Sequence, residues 1–147
     1  MNEVHAKRLL DSYRHWTDQD LLDVDLSRPL LKQLDEAELV ILSHGTELDP
    51  ILNYGNKRAK ALWEMDDQQF VSTPSRLTAE PMEREQRQAF LREVTANGYV
   101  SNYTGIRISA TGRRFYIEDA VVWNVIDEAG QYCGQAAAFQ SIRRIEA

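Results

Sequence analysis

The apolar residues in the first part of the chain recur at helical spacing. Between residues 3 and 22 they form one stripe, and charged side chains occupy the opposite face. This pattern predicts an amphipathic helix whose stripe must pack against another surface. The stripe consists of Ala6, Leu9, Leu10, Tyr13 and Trp16. A shorter helix is predicted over residues 27–35, with Ser27 as its cap and Pro29 in its first turn.

The middle of the chain alternates between short apolar runs and short helical patterns. The apolar runs predict strands over residues 37–43 and 50–53, and the segment 44–49 between them has the glycine and the Asp-Pro pair of a turn. Helical spacing predicts a short helix over 56–65 and a longer one over 82–97, with single-turn helices between them.

From residue 99 onward, β-branched and aromatic residues dominate. Three strands are predicted over residues 99–109, 113–126 and 131–143, joined by turns short enough for hairpins. The small residues 134–138 leave space for either a ligand cavity or a closely packed helix. A three-stranded meander and an earlier strand pair, with helices between, indicate an α+β domain on one antiparallel sheet.

The strand over residues 113–126 carries polar groups on both faces, so its inward face is open to two readings. Pairing counted from the turn at residue 112 places Arg107 and Ile117 on one face. Pairing counted back from the turn at residue 130 instead places Glu118 and Asn124 on the same face of the sheet as the small residues at 134, 136 and 138. A β-bulge is expected here, and the two registers remain alternatives. In either register Glu118 or Asp119 is partly buried, and Arg107 is its expected partner because an unpaired buried carboxylate is destabilising.

The composition is that of an ordinary globular domain. The 147 residues are 43% hydrophobic and 27% charged, and no apolar run approaches the roughly 20 residues that span a bilayer. The single Cys133 and the lack of a signal-peptide pattern favour a cytoplasmic protein with no membrane contact. The net charge of −6 disfavours nucleic acid as a partner.

The segment SHGTELD holds the densest cluster of chemically reactive residue types. A metal site needs three or four converging ligands, and the other two histidines lie on the first predicted helix. The segment is therefore interpreted as a hairpin turn in which Glu47 and Asp49 accept backbone hydrogen bonds, with His44 a candidate to face a cavity. Cys133 has no basic neighbour that would favour a thiolate, and no nucleophile motif occurs. No metal site and no catalytic residue are predicted.

Three long segments carry a resemblance to a known family. They are SHGTELDPILNYGNKRAKALWEM, PSRLTAEPME and YTGIRISATGRRFYIEDAVVWNVIDEAGQYCGQAAAF. Together with LDSYRHWT near the N-terminus, they resemble the bacterial branch of the MEKHLA domain family, which is related to PAS domains and also occurs at the C-terminus of plant class III homeodomain-leucine zipper proteins. The resemblance implies a PAS-like α+β fold, with a five-stranded antiparallel sheet in the order 2-1-5-4-3 and short helices on one face. We expect residues 1–35 to form an N-terminal helical extension and residues 36–147 the PAS-like MEKHLA domain.

The resemblance also implies a non-catalytic sensory or interaction module, by analogy with PAS domains. Such a module would bind a small organic ligand in a cavity and signal through a partner. The alternative is a small cavity enzyme that uses Glu118 or Asp119 as an acid or base. No cofactor is predicted. Residues 53–80 lack the cysteine of flavin-binding light-oxygen-voltage domains, and residues 82–97 lack the histidine of haem-binding PAS domains.

A ligand is expected between the sheet and residues 56–80, where polar groups interrupt an apolar pattern. The candidate ligand-binding residues are Trp63, Arg107, Glu118, Asn124 and His44. The permanent charge of Arg107 favours an anionic group such as a carboxylate, unless Glu118 or Asp119 neutralises it. The apolar helix stripe, beside a sheet with apolar residues on both faces, predicts a homodimer. The alternative is a monomer whose own first helix covers the outer sheet face.

Overall fold

The computed structural model describes residues 2–145, apart from the side chains of residues 81 and 82, and the last two residues of the predicted domain lie outside this range. The helices are α1 (Glu3–Thr17), α2 (Leu30–Asp35), α3 (Lys57–Trp63), α4 (Asp67–Phe70) and α5 (Pro81–Asn97), and a 3₁₀ helix spans Ser75–Thr78. The strands are β1 (Val40–His44), β2 (Leu52–Gly55), β3 (Tyr99–Ile108), β4 (Arg114–Ile126), β5 (Tyr132–Phe139) and β6 (Ser141–Arg144).

The first helix ends earlier than its apolar spacing predicts. The Asn2 side chain caps its start by accepting a hydrogen bond from the His5 amide at 3.0 Å. Asp18 ends the helix in the left-handed conformation, with φ at 58°. The predicted boundary at residue 22 is therefore wrong, since the apolar residues that follow belong to a loop.

The start of the second helix is also corrected. The Ser27 hydroxyl donates to Asp25 at 2.6 Å within the loop, and the helix begins only at Leu30. The Glu3 carboxylate accepts hydrogen bonds from the amides of Leu30 and Leu31 at 2.6 and 2.9 Å. A residue of α1 therefore satisfies the free amides at the start of α2. Because Glu3 is far from α2 in the sequence, local sequence signals do not reveal this cap.

The strands form one antiparallel sheet in the order β2-β1-β5-β4-β3. This order confirms the predicted PAS-like topology, with β5 central between β1 and β4. The predicted last strand, residues 131–143, is interrupted at residue 140, and its final part forms β6. Because β6 pairs with the start of β4, the sheet has six strands instead of the five expected.

A β-bulge lies in the stretch where the sequence left two registers. The pairing of β3 with β4 shifts between Val100 and Tyr103 and again between Tyr103 and Gly105. Near these shifts Asn102 and Asp119 have positive φ angles of 56° and 52°. The bulge separates β4 into two halves, so neither predicted register describes the whole strand.

For the residues of β4 itself, each register gives the inward face correctly on one side of the bulge only. Ile117, before the bulge, lines an interior cavity together with Arg107, and Val122, after it, lines the same cavity. In β5, however, the partner of Val122 is Ala137 and the partner of Asn124 is Gln135. The predicted grouping of this face with residues 134, 136 and 138 is therefore wrong by one position.

The two faces of the sheet are covered by different helices. The alternation along β5 shows the division, because Ala136 and Ala138 belong to the core beneath α1 whereas Ala137 packs on the opposite core. The small residues of β5 therefore serve both roles that the sequence left open, a closely packed helix on one face and a cavity on the other. The core beneath α1 and α2 contains Ala6, Leu9, Leu34, Ile41, Tyr54, Trp123 and Val125. The opposite core contains Leu42, Leu52, Leu62, Trp63, Phe70, Phe115, Ile117 and Phe139.

The apolar stripe of α1 packs on the sheet of its own chain. The Tyr13 ring meets the Trp123 ring edge to face at 5.1 Å, and the Trp16 indole N–H donates to the carbonyl oxygen of Asn124 at 2.9 Å. The outer sheet face, whose apolar residues were the reason for predicting a homodimer, is thus covered by the chain's own first helix. This is the arrangement that the monomer alternative described. The homodimer stays a prediction, and it requires a surface other than this face.

Gly134 is required where β5 passes β1. Its φ is +138°, and a Cβ at this position would clash with the carbonyl oxygen of His44 in the β1 backbone. Gly134→Ala is expected to lower the free energy of unfolding by about 2–4 kcal/mol, because two central strands must separate. Gly130→Ala is the matched control. Its φ is also positive, +80°, but a Cβ would meet nothing within 4 Å, so we expect a loss of about 1 kcal/mol. Urea unfolding measures both, and equal losses would contradict the clash.

Candidate functional site

A cavity lies between the sheet and the segment formed by α3, the 3₁₀ helix and α5. Its volume is about 50 Å³, which is small beside the roughly 150 Å³ of an engineered cavity that admits benzene. Most of the wall is apolar, contributed by Leu42, Leu52, Trp63, Ile117, Val122 and Phe139. Polar side chains are grouped on the remaining wall and include His44, Ser75, Arg87, Arg107 and Gln135.

Two arginines reach this cavity from different elements. Arg87 comes from α5 and Arg107 from β3, and they are only 7% and 8% exposed. Arg87 donates to the Ser75 hydroxyl at 2.5 Å, and Arg107 donates to the Ile106 carbonyl at 2.8 Å and to the Tyr103 hydroxyl at 3.3 Å. Burial, together with the charge of Arg107, lowers the pKa of Arg87 to about 10. The Arg87 guanidinium is therefore still charged at neutral pH.

His44 presents a ring nitrogen that has no partner. Its Nδ1 lies 2.9 Å from the carbonyl oxygen of Gly45, so Nδ1 carries the proton and Nε2 keeps its lone pair. Nε2 is buried and accepts no hydrogen bond within the described residues. Burial lowers the pKa of His44 and the charge of Arg87 acts in the same direction, whereas the Gly45 carbonyl and the Gln135 side chain oppose this shift.

Trp63 contributes a further unpaired polar atom to the same wall. Its indole ring packs edge to face against Phe115 at 5.3 Å and Phe139 at 6.3 Å. This packing buries the indole N–H, which finds no acceptor among residues 2–145. An unpaired buried N–H is destabilising, so an acceptor that reached this atom would stabilise the fold.

Gln135 connects the cavity to the rest of the fold. Its side-chain N–H groups face three acceptors: the Leu91 carbonyl at 3.2 Å, the Thr95 hydroxyl at 3.0 Å and the Asn124 side-chain oxygen at 3.1 Å. The Asn124 amide in turn donates to the carbonyl groups of Val94 and Thr95 at 3.2 and 3.3 Å. This network joins the last turns of α5 to β4 and β5.

A second pocket adjoins the cavity and extends it towards α5. Its volume is about 150 Å³. Arg76 and Arg92 add positive charge to its wall, although Arg76 also pairs with Asp49 at 3.1 Å. The residues that line both spaces are His44, Ser75, Arg87, Leu91 and Gln135.

The structure brings together most of the predicted ligand-binding residues. Trp63, Arg107 and His44 line the cavity, and Asn124 lies behind it through its bond to Gln135. Glu118 lies elsewhere, because the bulge directs its carboxylate to Arg143 of β6, 3.5 Å away. The expected pairing of Arg107 with Glu118 or Asp119 is therefore wrong. The ligand-contacting role of the other four residues stays a prediction.

Arg87 is a cavity residue that was not predicted, although the spacing of the α5 helix contained a signal for it. Positions 87, 90, 91 and 94 share one face of the predicted helix over residues 82–97, and the last three are the apolar residues Phe90, Leu91 and Val94. An arginine in line with three inward apolar residues must be buried unless the helix rotates. If Arg87 is counted as part of this inward-facing row of residues, the helical spacing places its side chain in the cavity.

The buried His44 and the half-buried His5 make the stability of the fold sensitive to mild acid. The pKa of His44 and of His5 is lowered from 6.5, in both cases mainly by burial. Below 6.5 the unfolded chain binds protons that the folded chain does not, so stability falls as pH decreases from 6.5 through the folded pKa. His44→Gln should reduce this loss by up to about 1.4 kcal/mol per pH unit, measured by urea unfolding between about pH 7 and about pH 5.

The control for this measurement is His15→Gln, because His15 is exposed on α1. It should leave the pH dependence of the wild-type chain unchanged. The charged groups that act on His44 are Arg87 and Glu47, and they remain in place in both variants. An unchanged pH dependence in His44→Gln would show that His44 is not the titrating group.

Two kinds of feature are absent from the described residues. Within residues 2–145 there is no group of three or more His, Cys, Asp or Glu side chains placed to hold a metal ion. None of the helices in that range combines the length and the apolarity that crossing a membrane requires.

Comparisons with known proteins agree with this architecture. The sequence model of the MEKHLA domain matches residues 3–143, while a search of curated proteins found no match. The PAS domain of a protein from Colwellia psychrerythraea superposes with a TM-score of 0.68 at 18% identity, over 82% of this chain and 98% of its own. An RNA-binding light-oxygen-voltage receptor also gives 0.68, at 19% identity, over 83% of this chain and 36% of its own. A light-oxygen-voltage domain studied with a flavin analogue gives 0.62, at 12% identity, over 82% of this chain and 87% of its own.

Proposed function

The chain belongs to the MEKHLA domain family, and on that premise we propose that it is a non-catalytic sensory module that binds a small organic ligand in its cavity and passes the change to a partner. The PAS-like fold and the similarity to light-oxygen-voltage structures are consistent with a signalling role. The proposal includes a cytoplasmic location and a homodimer, neither of which follows from the fold alone.

The observation that carries this proposal is the set of unsatisfied polar groups in an otherwise apolar cavity. Buried polar groups in native proteins are nearly always hydrogen-bonded. Here the His44 Nε2 and the Trp63 Nε1 have no partner within the described chain, and two guanidiniums share the same space. An apolar cavity with a few converging polar groups is typical of a small-molecule site.

The network around Gln135 provides a route from the cavity to the outer helix. Gln135 contacts Asn124, and the backbone carbonyl of Asn124 accepts the indole N–H of Trp16 on α1. Two residues further along β4, the Ile126 amide donates to the Ser12 hydroxyl of α1 at 2.8 Å. A ligand that moves Gln135 would therefore act directly on the strand that holds α1.

The enzyme alternative finds no support at this site. It needs a carboxylate that points into an open cavity. Of the two candidates, Glu118 pairs with Arg143 and Asp119 is exposed at the bulge. The described residues that line the cavity include no Asp or Glu.

Native mass spectrometry of the full chain, purified from its own host, tests the proposal. We expect a species heavier than the chain by the mass of one small molecule. Ala137→Leu should abolish it, because Ala137 lines the cavity and a leucine there would fill it. Ala129→Leu, at an exposed turn, is the matched control and should retain it. The bare chain mass in every sample would contradict the proposed ligand.

A further inference from the structure

The two arginines of the cavity, Arg87 and Arg107, differ from the arginines of the chain that form ion pairs. Among residues 2–145, six arginines lie within 4.0 Å of a carboxylate, and all six are more exposed than Arg87 and Arg107. Arg87 and Arg107 are the most deeply buried, yet neither has an acidic partner among residues 2–145. Buried charges in proteins are normally paired, so the missing counter-charge is the feature to explain.

Building on the proposed function, we propose that the ligand is a small organic acid whose carboxylate is held by Arg87 and Arg107. A carboxylate supplies the missing negative charge and accepts two parallel hydrogen bonds from a guanidinium. Each guanidinium has five N–H donors. Arg87 donates one hydrogen bond and Arg107 two within the described chain, so most of their donors remain available.

The unpaired Trp63 N–H fits the same ligand class, whereas the His44 Nε2 is an acceptor that a carboxylate does not satisfy. The Trp63 N–H is another unsatisfied donor, and a second carboxylate oxygen would satisfy it. A cationic or amine ligand would face two like charges, the guanidiniums of Arg87 and Arg107. Among the unpartnered buried atoms of the described chain, only the His44 Nε2 can accept a hydrogen bond.

The size and the lining of the cavity limit the rest of the molecule. The volume of about 50 Å³ admits a carboxylate with a few carbons but no aromatic ring. Leu52, Ile117 and Phe139 form an apolar wall for a short alkyl group. This wall favours an organic acid over an inorganic oxyanion, which would leave apolar surface against its charged oxygens. Arg92 in the adjoining pocket adds positive charge along the approach.

Isothermal titration calorimetry of the full chain in a chloride-free buffer tests this inference. The probes are propionate, the neutral isostere propionamide, propylammonium and inorganic phosphate. We expect propionate to bind, and the other three to bind at least tenfold more weakly. Arg87→Met and Arg107→Met should each weaken propionate binding tenfold or more. Arg58→Met removes an exposed arginine from α3 and should change it by less than twofold.

The outcomes separate this inference from the proposed function. Equal binding of propionate and propionamide, or binding that survives both arginine substitutions, would overturn the carboxylate and leave a cavity ligand in place. Equal binding of phosphate would show that the cavity selects anions in general and would also overturn the organic acid. If no probe binds while native mass spectrometry still finds a bound molecule, only this inference fails. A circular dichroism spectrum unchanged from the wild type confirms that each variant is folded.

Discussion

Arg87→Met is expected to raise the free energy of unfolding of the ligand-free protein by about 1–3 kcal/mol. Methionine keeps most of the side-chain volume and removes a charge that has no acidic partner in the described chain. The loss of one hydrogen bond to the Ser75 hydroxyl offsets about 1 kcal/mol of the gain. Urea unfolding in a buffer without carboxylate measures the change. Arg107→Met should act in the same direction but less strongly, because Arg107 also lies over the Tyr103 ring.

The matched control for this prediction is Arg114→Met. Arg114 pairs with Glu80, and both side chains are partly exposed. Removing this arginine should lower the free energy of unfolding by at most about 1 kcal/mol. If Arg87→Met instead lost 3–5 kcal/mol, Arg87 would be half of a buried ion pair. The carboxylate inference would then lose its main argument.

The expected gain in stability has a functional meaning. A side chain that destabilises the empty protein and binds its ligand links ligand occupancy to stability. The ligand-free chain is then less stable than its packing allows, and binding relieves the repulsion between Arg87 and Arg107. Such a difference between the empty and the bound state is what a sensory module needs if occupancy is to change its structure.

The topology could be predicted from the sequence because local patterns and the family resemblance both specify it. The apolar runs and turn residues placed five of the six strands, and the resemblance supplied their order. The break between β5 and β6 was missed because residues 139–143 contain no glycine or proline that would mark the end of a strand. Helix ends were less predictable where the cap comes from a distant residue, as Glu3 does for α2.

The site was predictable only in part, for a reason that lies in β4. The side-chain period of a strand is two, so the bulge near Asp119 reverses the faces that residues beyond it occupy. Arg107 is paired with the part of β4 that precedes the bulge, and its predicted position in the interior was correct. Glu118 lies at the bulge, and its predicted position in the interior was wrong. Whether Arg107 has a partner depends on this one backbone feature, and no local pattern specifies where the bulge lies.

Deleting residues 1–22 is expected to lower the free energy of unfolding by roughly 5 kcal/mol or more, given about 1.5–3 kcal/mol for each large apolar side chain that loses its burial. The α1 stripe covers Trp123 and Val125, and Leu9 itself is fully buried. The loss is comparable with the whole stability of a marginal domain. The uncovered sheet face would also be an apolar patch that promotes self-association. Urea unfolding and light scattering measure the two effects.

Single substitutions in α1 show whether burial is the cause. Leu9→Ala should cost about 2–4 kcal/mol, whereas Val4→Ala on the exposed side of the same helix should cost less than about 0.5 kcal/mol. A truncated chain that stays monomeric and equally stable would show that α1 does not cover the sheet in solution. Light scattering of the full chain at high micromolar concentration also tests the homodimer. A dimer there must use a surface other than the face beneath α1, and a monomer would contradict the homodimer prediction.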